Sequence, residues 1–340
     1  MSASSPQEEM SRMIVGSWIS QSLYVAAKLK LADQLAAGPR SVKDLARATG
    51  SHERSLYRLL RALASIGVFS ESDEKGGEFR LTPLAETLRS DVPGSQWAMA
   101  VMMGEEHFQT WAHLLLSIQT GEIAFDRIYG QPIFDYLSEH PEQAQVFDAA
   151  MTSIHGRETE TFLDGYDLTG VETLADIGGG NGTNLAGILK RYPRLKAVLF
   201  DLPHVVERAK ATLEQAGVLD RCQLISGSFF EKIDVKADAY FMRHIIHDWN
   251  DEKAGLILRN LHNTMSSSAR LIVVEHVIPA GNEPSFGKFL DLNMMVLPGG
   301  LERTEAEFRA LYAQSGFELT RVVATQGDLS VVEGKRVETA

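Results

Sequence analysis

Cysteine is almost missing from this 340-residue chain, with Cys222 standing alone. That excludes a disulfide framework and any zinc site built on several cysteines. No run of about 18 uncharged apolar residues occurs, so a membrane-spanning helix is not expected. The start, Met1-Ser-Ala-Ser-Ser-Pro-Gln-Glu-Glu, lacks the basic residues and apolar stretch of a secretory leader, and a cytoplasmic protein is expected. Basic charge is in deficit, 33 Lys and Arg against 45 Asp and Glu, for a net charge of −12. The deficit argues against broad nucleic-acid binding while leaving a local basic patch open. Glycine and proline, at 28 and 11, keep ordinary frequencies, which excludes collagen-like and low-complexity chains. What is present is length for about two domains and a hydrophobic content of 44%, enough for sizeable cores.

The first half is predicted to be helical. Residues 11–36 carry Met13, Ile14, Trp18, Ile19, Leu23, Val25, Leu29, Leu31 and Leu35 with few polar interruptions. So apolar a segment beside a chain terminus either packs within its own domain or pairs with a second subunit; pairing is the expectation. In residues 41–69, Ser41 is an N-cap candidate with Asp44 in the reciprocal role, and Gly50 ends the helix. A second helix opens at Ser51 or Glu53, with Leu56, Leu59, Leu60 and Leu63 on its core face. A hairpin is predicted next, Gly67-Val-Phe-Ser-Glu and Glu78-Phe-Arg-Leu-Thr around Gly76-Gly77. Helix, turn, helix and wing form a winged-helix pattern. Lys43, Arg47, Arg54, Arg58 and Arg61 outnumber Asp44 and Glu53 here, as in a DNA reader. The acidic whole favours instead a winged helix reused for packing and pairing. Residues 97–165 are again helical and rich in aromatics, and Gly165 to Val171 reads as a connector.

From Thr173 strands and helices alternate: Thr173-Leu-Ala-Asp-Ile, Ala197-Val-Leu-Phe-Asp, Cys222-Gln-Leu-Ile, Ala239-Tyr-Phe-Met-Arg and Ala269-Arg-Leu-Ile-Val-Val-Glu. A terminal pair, Phe317-Glu-Leu-Thr-Arg-Val-Val and Leu329-Ser-Val-Val-Glu, looks antiparallel. The pattern predicts an α/β fold with a mainly parallel sheet covered by helices. Cys222, at a strand start, is expected to be a buried small hydrophobe.

Between the first of these strands and its helix lies Asp176-Ile-Gly178-Gly179-Gly180-Asn181-Gly182-Thr183. Glycines there let a ligand approach the backbone at the carboxyl end of the sheet. A dinucleotide fingerprint would need glycine where Thr183 stands. An acid beside the turn also suits the ammonium of S-adenosylmethionine (SAM) better than a pyrophosphate. Asp201, ending the second strand, can accept both ribose hydroxyls of an adenosine; it serves NAD equally well and does not choose the cofactor.

Five motifs then occur in order: Asp176-Ile-Gly-Gly-Gly-Asn-Gly, Phe200-Asp-Leu202-Pro-His, Gly227-Ser-Phe-Phe230, Phe241-Met-Arg-His-Ile-Ile-His-Asp-Trp-Asn-Asp-Glu and Gly299-Gly-Leu-Glu-Arg-Thr. Together they resemble the SAM-dependent O-methyltransferases of the caffeate, small-molecule class, over nearly the whole chain. The resemblance implies a winged-helix dimerisation domain, residues 1–165, and a Rossmann-like class I methyltransferase domain with a seven-stranded sheet, residues 166–340. It implies a homodimer acting on a hydroxylated aromatic or polyketide-like metabolite, with SAM as donor, S-adenosylhomocysteine (SAH) as product and no metal, nucleic-acid or membrane partner. Methyl transfer needs an aligned oxygen and a base for its proton. His247 is the candidate base, since imidazole titrates near neutrality and this is the His of His-Asp-Trp.

By the resemblance, Glu275 and Glu302 match the acids that orient that His. Asp176, Gly178, Gly180, Asp201, Leu202, Ser228, Phe229, Phe230 and Arg243 fall where the cofactor binds, with Phe229 expected on the adenine. Ser228 departs from the acid many relatives place there; its hydroxyl still offers a neutral hydrogen bond of about 1 kcal/mol. Phe147 and Met151, with Asn293 and Met294, resemble facing helices of the acceptor pocket, and His107 and Trp111 are further pocket candidates. His244 and His247 form a His-x-x-His pair with no third ligand at metal spacing, so His244 is expected to be a packing residue. Two other functions stay open: SAM-fold chemistry without methylation, and a winged-helix regulator that binds DNA.

Overall fold

The computed structural model describes residues 5–72 and 76–338, with the backbone path alone for 154–158. Met1–Ser4 at the start and residues 73–75 of the expected wing turn lie outside the described residues. Contacts divide the chain into two compact units, Met1–Ala112 with Leu137–Ile154, and His113–Tyr136 with His155–Ala340.

In the first unit the apolar segment near the N-terminus forms three helices, Pro6–Ile14, Gly16–Lys28 and Leu31–Gln34. A capping box of Ser5 and Glu8 starts the first. That helix buries nothing, and Met13, Ile14 and Trp18 are 66%, 72% and 71% exposed. Ala26, Leu31 and Leu35 turn into the unit's own core. Ser41 Oγ accepts from Asp44 N at 3.1 Å, and Gly50 ends the helix Val42–Thr49 in the left-handed conformation. The helix Glu53–Ala64 then buries Leu56, Leu60 and Leu63, one stripe at helical spacing. Strands β1 (Arg40–Ser41), β2 (Phe69–Glu71) and β3 (Glu78–Leu81) close the winged helix as a sheet ordered β1-β3-β2, antiparallel throughout.

The second unit is built on β4 (Thr173–Ile177), β5 (Lys196–Asp201), β6 (Cys222–Ser226), β7 (Ala239–Arg243), β8 (Arg270–His276), β9 (Phe317–Ala324) and β10 (Leu329–Arg336). Their order is β6-β5-β4-β7-β8-β10-β9. The first five are parallel, and β10 runs antiparallel to both β8 and β9. Residues 271–274 of β8 are fully buried because both sheet faces are covered. Leu271 and Val273 pack with Ile257, Leu258 and Leu261 on one face, and Ile272 and Val274 with Leu185, Ile188 and Leu189 on the other. Cys222 is half-buried rather than buried, because it begins β6, the edge strand of the sheet.

The chain leaves β4 outward to β5 and β6, then returns to β7 on the other side of β4. That reversal opens a crevice at the carboxyl ends of β4 and β7, where open α/β sheets take their ligands. Among the described residues, no helix is long and apolar enough to cross a membrane.

Candidate active site

Strand ends gather the polar residues of the site. Asp176 lies within β4, Asp201 ends β5, Arg243 ends β7 and Glu275 stands one residue from the end of β8. Beyond β4 the chain turns through glycines, and Gly178 takes φ +75° with its N–H donating to Phe200 O at 2.8 Å. A Cβ at Gly178 would overlap the Ile245 side chain, so the turn needs glycine for space as well as conformation. Asp201 ties this turn to its own strand: Oδ2 accepts from Gly180 N at 2.9 Å and Oδ1 from Leu202 N at 2.7 Å. A carboxylate has about four acceptor positions, so Asp201 keeps capacity for a ligand's hydroxyls. Burial raises its pKa, against the two backbone N–H groups.

Asp176 is 2% exposed, and its Oδ2 has no hydrogen-bond partner. Burial, with Asp201 nearby, pushes its pKa up to about 7, and Arg243 opposes the rise. Arg243 Nη1 donates to Thr159 Oγ1 at 2.9 Å and Asn184 Oδ1 at 2.8 Å. On the far side of the turn, Phe229 meets Phe230 edge-on at 4.9 Å and Trp249 at 6.0 Å. Ser228 Oγ accepts from Phe230 N at 3.2 Å, which leaves its hydroxyl hydrogen available.

His247 sits on a short 3₁₀ turn, Ile246–Asp248, 7% exposed. Its Nδ1 lies 2.7 Å from Glu302 Oε1. Glu275 holds the same turn by its backbone, Oε1 accepting from Ile246 N at 2.7 Å and His247 N at 3.1 Å. The approach of Glu302 depends on the glycines before it. A Cβ on Gly300 would overlap the carbonyl oxygen of His247, and Leu301 N donates to that oxygen at 2.9 Å. Glu302 N in turn donates to Asp291 Oδ1 at 2.9 Å.

Burial pushes the His247 imidazole down, but Asp248 and Glu302 outweigh it and hold the pKa up at about 10. Asp248 Oδ1 is 3.5 Å from the other ring nitrogen, Nε2. Burial raises Glu275 to about 7 and Asp248 to about 6. His244, in the left-handed region at φ +53°, lies with its ring tilted 40° to that of His247 at 5.0 Å, and burial with its cationic neighbours drives its pKa well below the usual value. Among the described residues no group of three or more His, Cys, Asp or Glu could hold a metal ion.

Three contributors were not singled out by sequence. Asp248 stood inside the His-Asp-Trp motif. Asn184 follows the glycine turn directly, where a polar residue can face the crevice. Thr159 carried no signal, since only the fold brings it to a strand end 84 positions away.

The O-methyltransferase domain family matches residues 111–318, and its dimerisation domain residues 11–91. The chain belongs to the SAM-dependent O-methyltransferases. The phenazine O-methyltransferase PhzM of Lysobacter antibioticus is 44% identical over 96% of this chain and 95% of that protein. The crystal structure of LaPhzM superposes with a TM-score of 0.94 at 43% identity, covering 98% of this chain and 100% of that one. NcsB1, an O-methyltransferase of neocarzinostatin biosynthesis solved with SAM and 2-hydroxy-5-methyl naphthoic acid, gives a TM-score of 0.83 at 30% identity over 94% and 96% of the chains.

SAM is the cofactor of the family, and two features of this methyltransferase fit it: the orphaned buried oxygen of Asp176 and the side-chain-free turn at Gly178. The acceptor-pocket candidates divide between the units. Phe147 and Met151 in the first pack partly buried against Ala98, Met102 and Ala150. His107 is buried there with Nδ1 unpartnered and its pKa pushed down to about 4 by burial, and Trp111 is half-buried. In the second unit Asn293 and Met294 are both 8% exposed, and the Met294 carbonyl accepts from Gly299 N at 2.9 Å.

Proposed function

We propose that this enzyme methylates a hydroxyl of a small planar aromatic metabolite, with His247 as general base. The observation that carries the proposal is the 2.7 Å contact between His247 Nδ1 and Glu302, at the carboxyl end of the sheet. With Nδ1 engaged, Nε2 is the nitrogen that takes the acceptor's hydroxyl proton, and Glu302 stabilises the imidazolium that results. Asp176 would hold the cofactor's ammonium, Asp201 its ribose, Phe229 and Ser228 its adenine edge, and Arg243 its carboxylate. When bound, SAM supplies the electrophilic methyl group.

An imidazole held near 10 is already protonated at neutral pH. A positive charge seated beside it lowers that proton affinity. His247 therefore shifts toward its free-base form beside the bound sulfonium. The phenazine and naphthoate relatives support a hydroxylated aromatic acceptor. The dimerisation-domain match and the exposed Met13, Ile14 and Trp18 support a homodimer, with the winged helix serving pairing rather than DNA. A cytoplasmic location completes the proposal.

The test is incubation with methyl-labelled SAM and a panel of hydroxyphenazines, hydroxynaphthoic acids, anthraquinones and flavonoids. Label should move to an oxygen, and His247→Ala should abolish the transfer. Unchanged turnover in that variant refutes the base, and a product methylated on nitrogen or carbon refutes the O-methyl assignment. Retained SAM binding with no transfer to any acceptor would favour the non-methylating alternative.

A further inference from the structure

The base sits on a turn whose backbone is held almost entirely by other parts of the chain. Glu275 takes the N–H groups of Ile246 and His247, and Leu301 N holds the His247 carbonyl. The remaining carbonyls at the turn's two ends, Ile246 O and Trp249 O, accept from Arg303. Its Nη1 reaches Ile246 O at 3.2 Å and Nη2 reaches Trp249 O at 3.0 Å. The same guanidinium meets Asp251 Oδ1 through Nε at 3.0 Å and Nη2 at 2.8 Å, at the start of the helix Asp251–Thr264.

Arg303 is 0% exposed, one of the largest fully buried side chains in the protein. Burying a guanidinium is costly unless its donors are met, and its one carboxylate partner has a side chain 70% exposed to water. Its own backbone is anchored too: Arg303 O accepts from Ile278 N at 3.0 Å, just past β8. One residue therefore joins the end of β8, the loop that delivers Glu302 and both ends of the turn that delivers His247.

We propose that Arg303 is a positioning residue for methyl transfer: its planar fork fixes the His247 turn against Glu302. The proposal rests on His247 being the base. Placement matters because an error of about 1 Å in a reacting group can cost on the order of 10²-fold in rate. The imidazole placed by this turn lies against Glu302 from the loop, Asp248 from its own turn and His244 just past β7. Arg303 also lowers the pKa of Glu275, whose carboxylate holds the turn's backbone.

The measurement is NMR of the His247 ring in histidine-labelled enzyme saturated with SAH, which needs no acceptor. Arg303→Gln should weaken the deshielded Nδ1 proton shared with Glu302, a signature that a residue supporting only the fold would leave in place. Arg303→Lys keeps the charge without the planar fork and should not restore that proton.

Methyl transfer to a hydroxyphenazine in a single turnover should fall about 100-fold in Arg303→Gln, with SAH affinity within about threefold of the parent. An unchanged Nδ1 proton in folded Arg303→Gln would overturn the proposal. If that variant does not fold, Arg303→Lys decides: a weakened Nδ1 proton supports the proposal and an unchanged one overturns it. His247→Ala separates the premises, since transfer surviving in it refutes the base itself.

Discussion

Replacing Asp176 by Asn should make the empty protein more stable and the loaded one worse. Asp176 is 2% exposed, with one oxygen unpartnered and a pKa raised from 3.8 to about 7 by burial. At about 1.4 kcal/mol per tenfold, keeping that carboxylate charged above pH 7 costs up to about 4 kcal/mol of folding free energy. An asparagine avoids the charge but brings an amide whose donors need partners, a loss of about 1–3 kcal/mol. The net gain expected in the empty protein is therefore about 1–3 kcal/mol at pH 8.5.

The pH dependence gives the sign. An acid raised in the folded state stabilises most below its unfolded pKa, and that contribution is lost as pH rises through the folded value. The advantage of Asn over Asp should thus be absent near pH 4, grow between pH 4 and 7, and level off above. Urea unfolding of both proteins without cofactor at pH 4, 6 and 8.5 measures it. Calorimetry with SAM then gives the cost, because losing a charged hydrogen bond to the ammonium removes about 1.5–3 kcal/mol, on the order of 10–100-fold in affinity. A variant no more stable at pH 8.5 than at pH 4, relative to its parent, refutes the burial argument. Undiminished SAM affinity refutes the contact with the ammonium.

Other outcomes follow from the same geometry. Ser228→Asp should tighten SAM binding in calorimetry by about 1 kcal/mol, since a charged acceptor replaces a neutral one; weaker binding would mean that Ser228 does not face the adenine. Glu302→Gln should lower the pKa of His247, whose elevation Glu302 supports with Asp248, and move the acid limb of single-turnover transfer to lower pH. Its rate should fall by on the order of 10²-fold through lost orientation, and an unmoved limb would deny Glu302 its role. Trp18→Asp combined with Ile14→Asp should convert a dimer to monomer in light scattering while the circular dichroism stays intact, since both side chains are more than two-thirds exposed in the single chain.

Much of the fold was legible because its signals are local. Ser41 and Gly50 bracket a helix by capping chemistry that needs only neighbours. The leucines at 56, 60 and 63 mark one face of the next helix. Apolar runs in β4, β5, β7 and β8 announced strands covered on both faces, and the glycines after Asp176 announced a backbone turn with no room for side chains. The single long segment near the N-terminus was less legible. It breaks into three helices, with Val15, between two of them, outside helical geometry at the boundary.

The sequence by itself determined the order of strands and helices, the glycine turn and the imidazole proposed as the base, because these depend on residues within a few positions of one another. Tertiary structure alone decided how that imidazole is held. Glu302 reaches it from 55 positions away, Gly300 must be bare for the approach, and Arg303 spans the turn from a buried position no exposure pattern predicts. The same holds for Arg243 on Thr159 and for the orphaned oxygen of Asp176. Proton affinity and hydrogen-bond partnership are set by what surrounds a group in space, and the chain supplies those surroundings only when the sheet has closed.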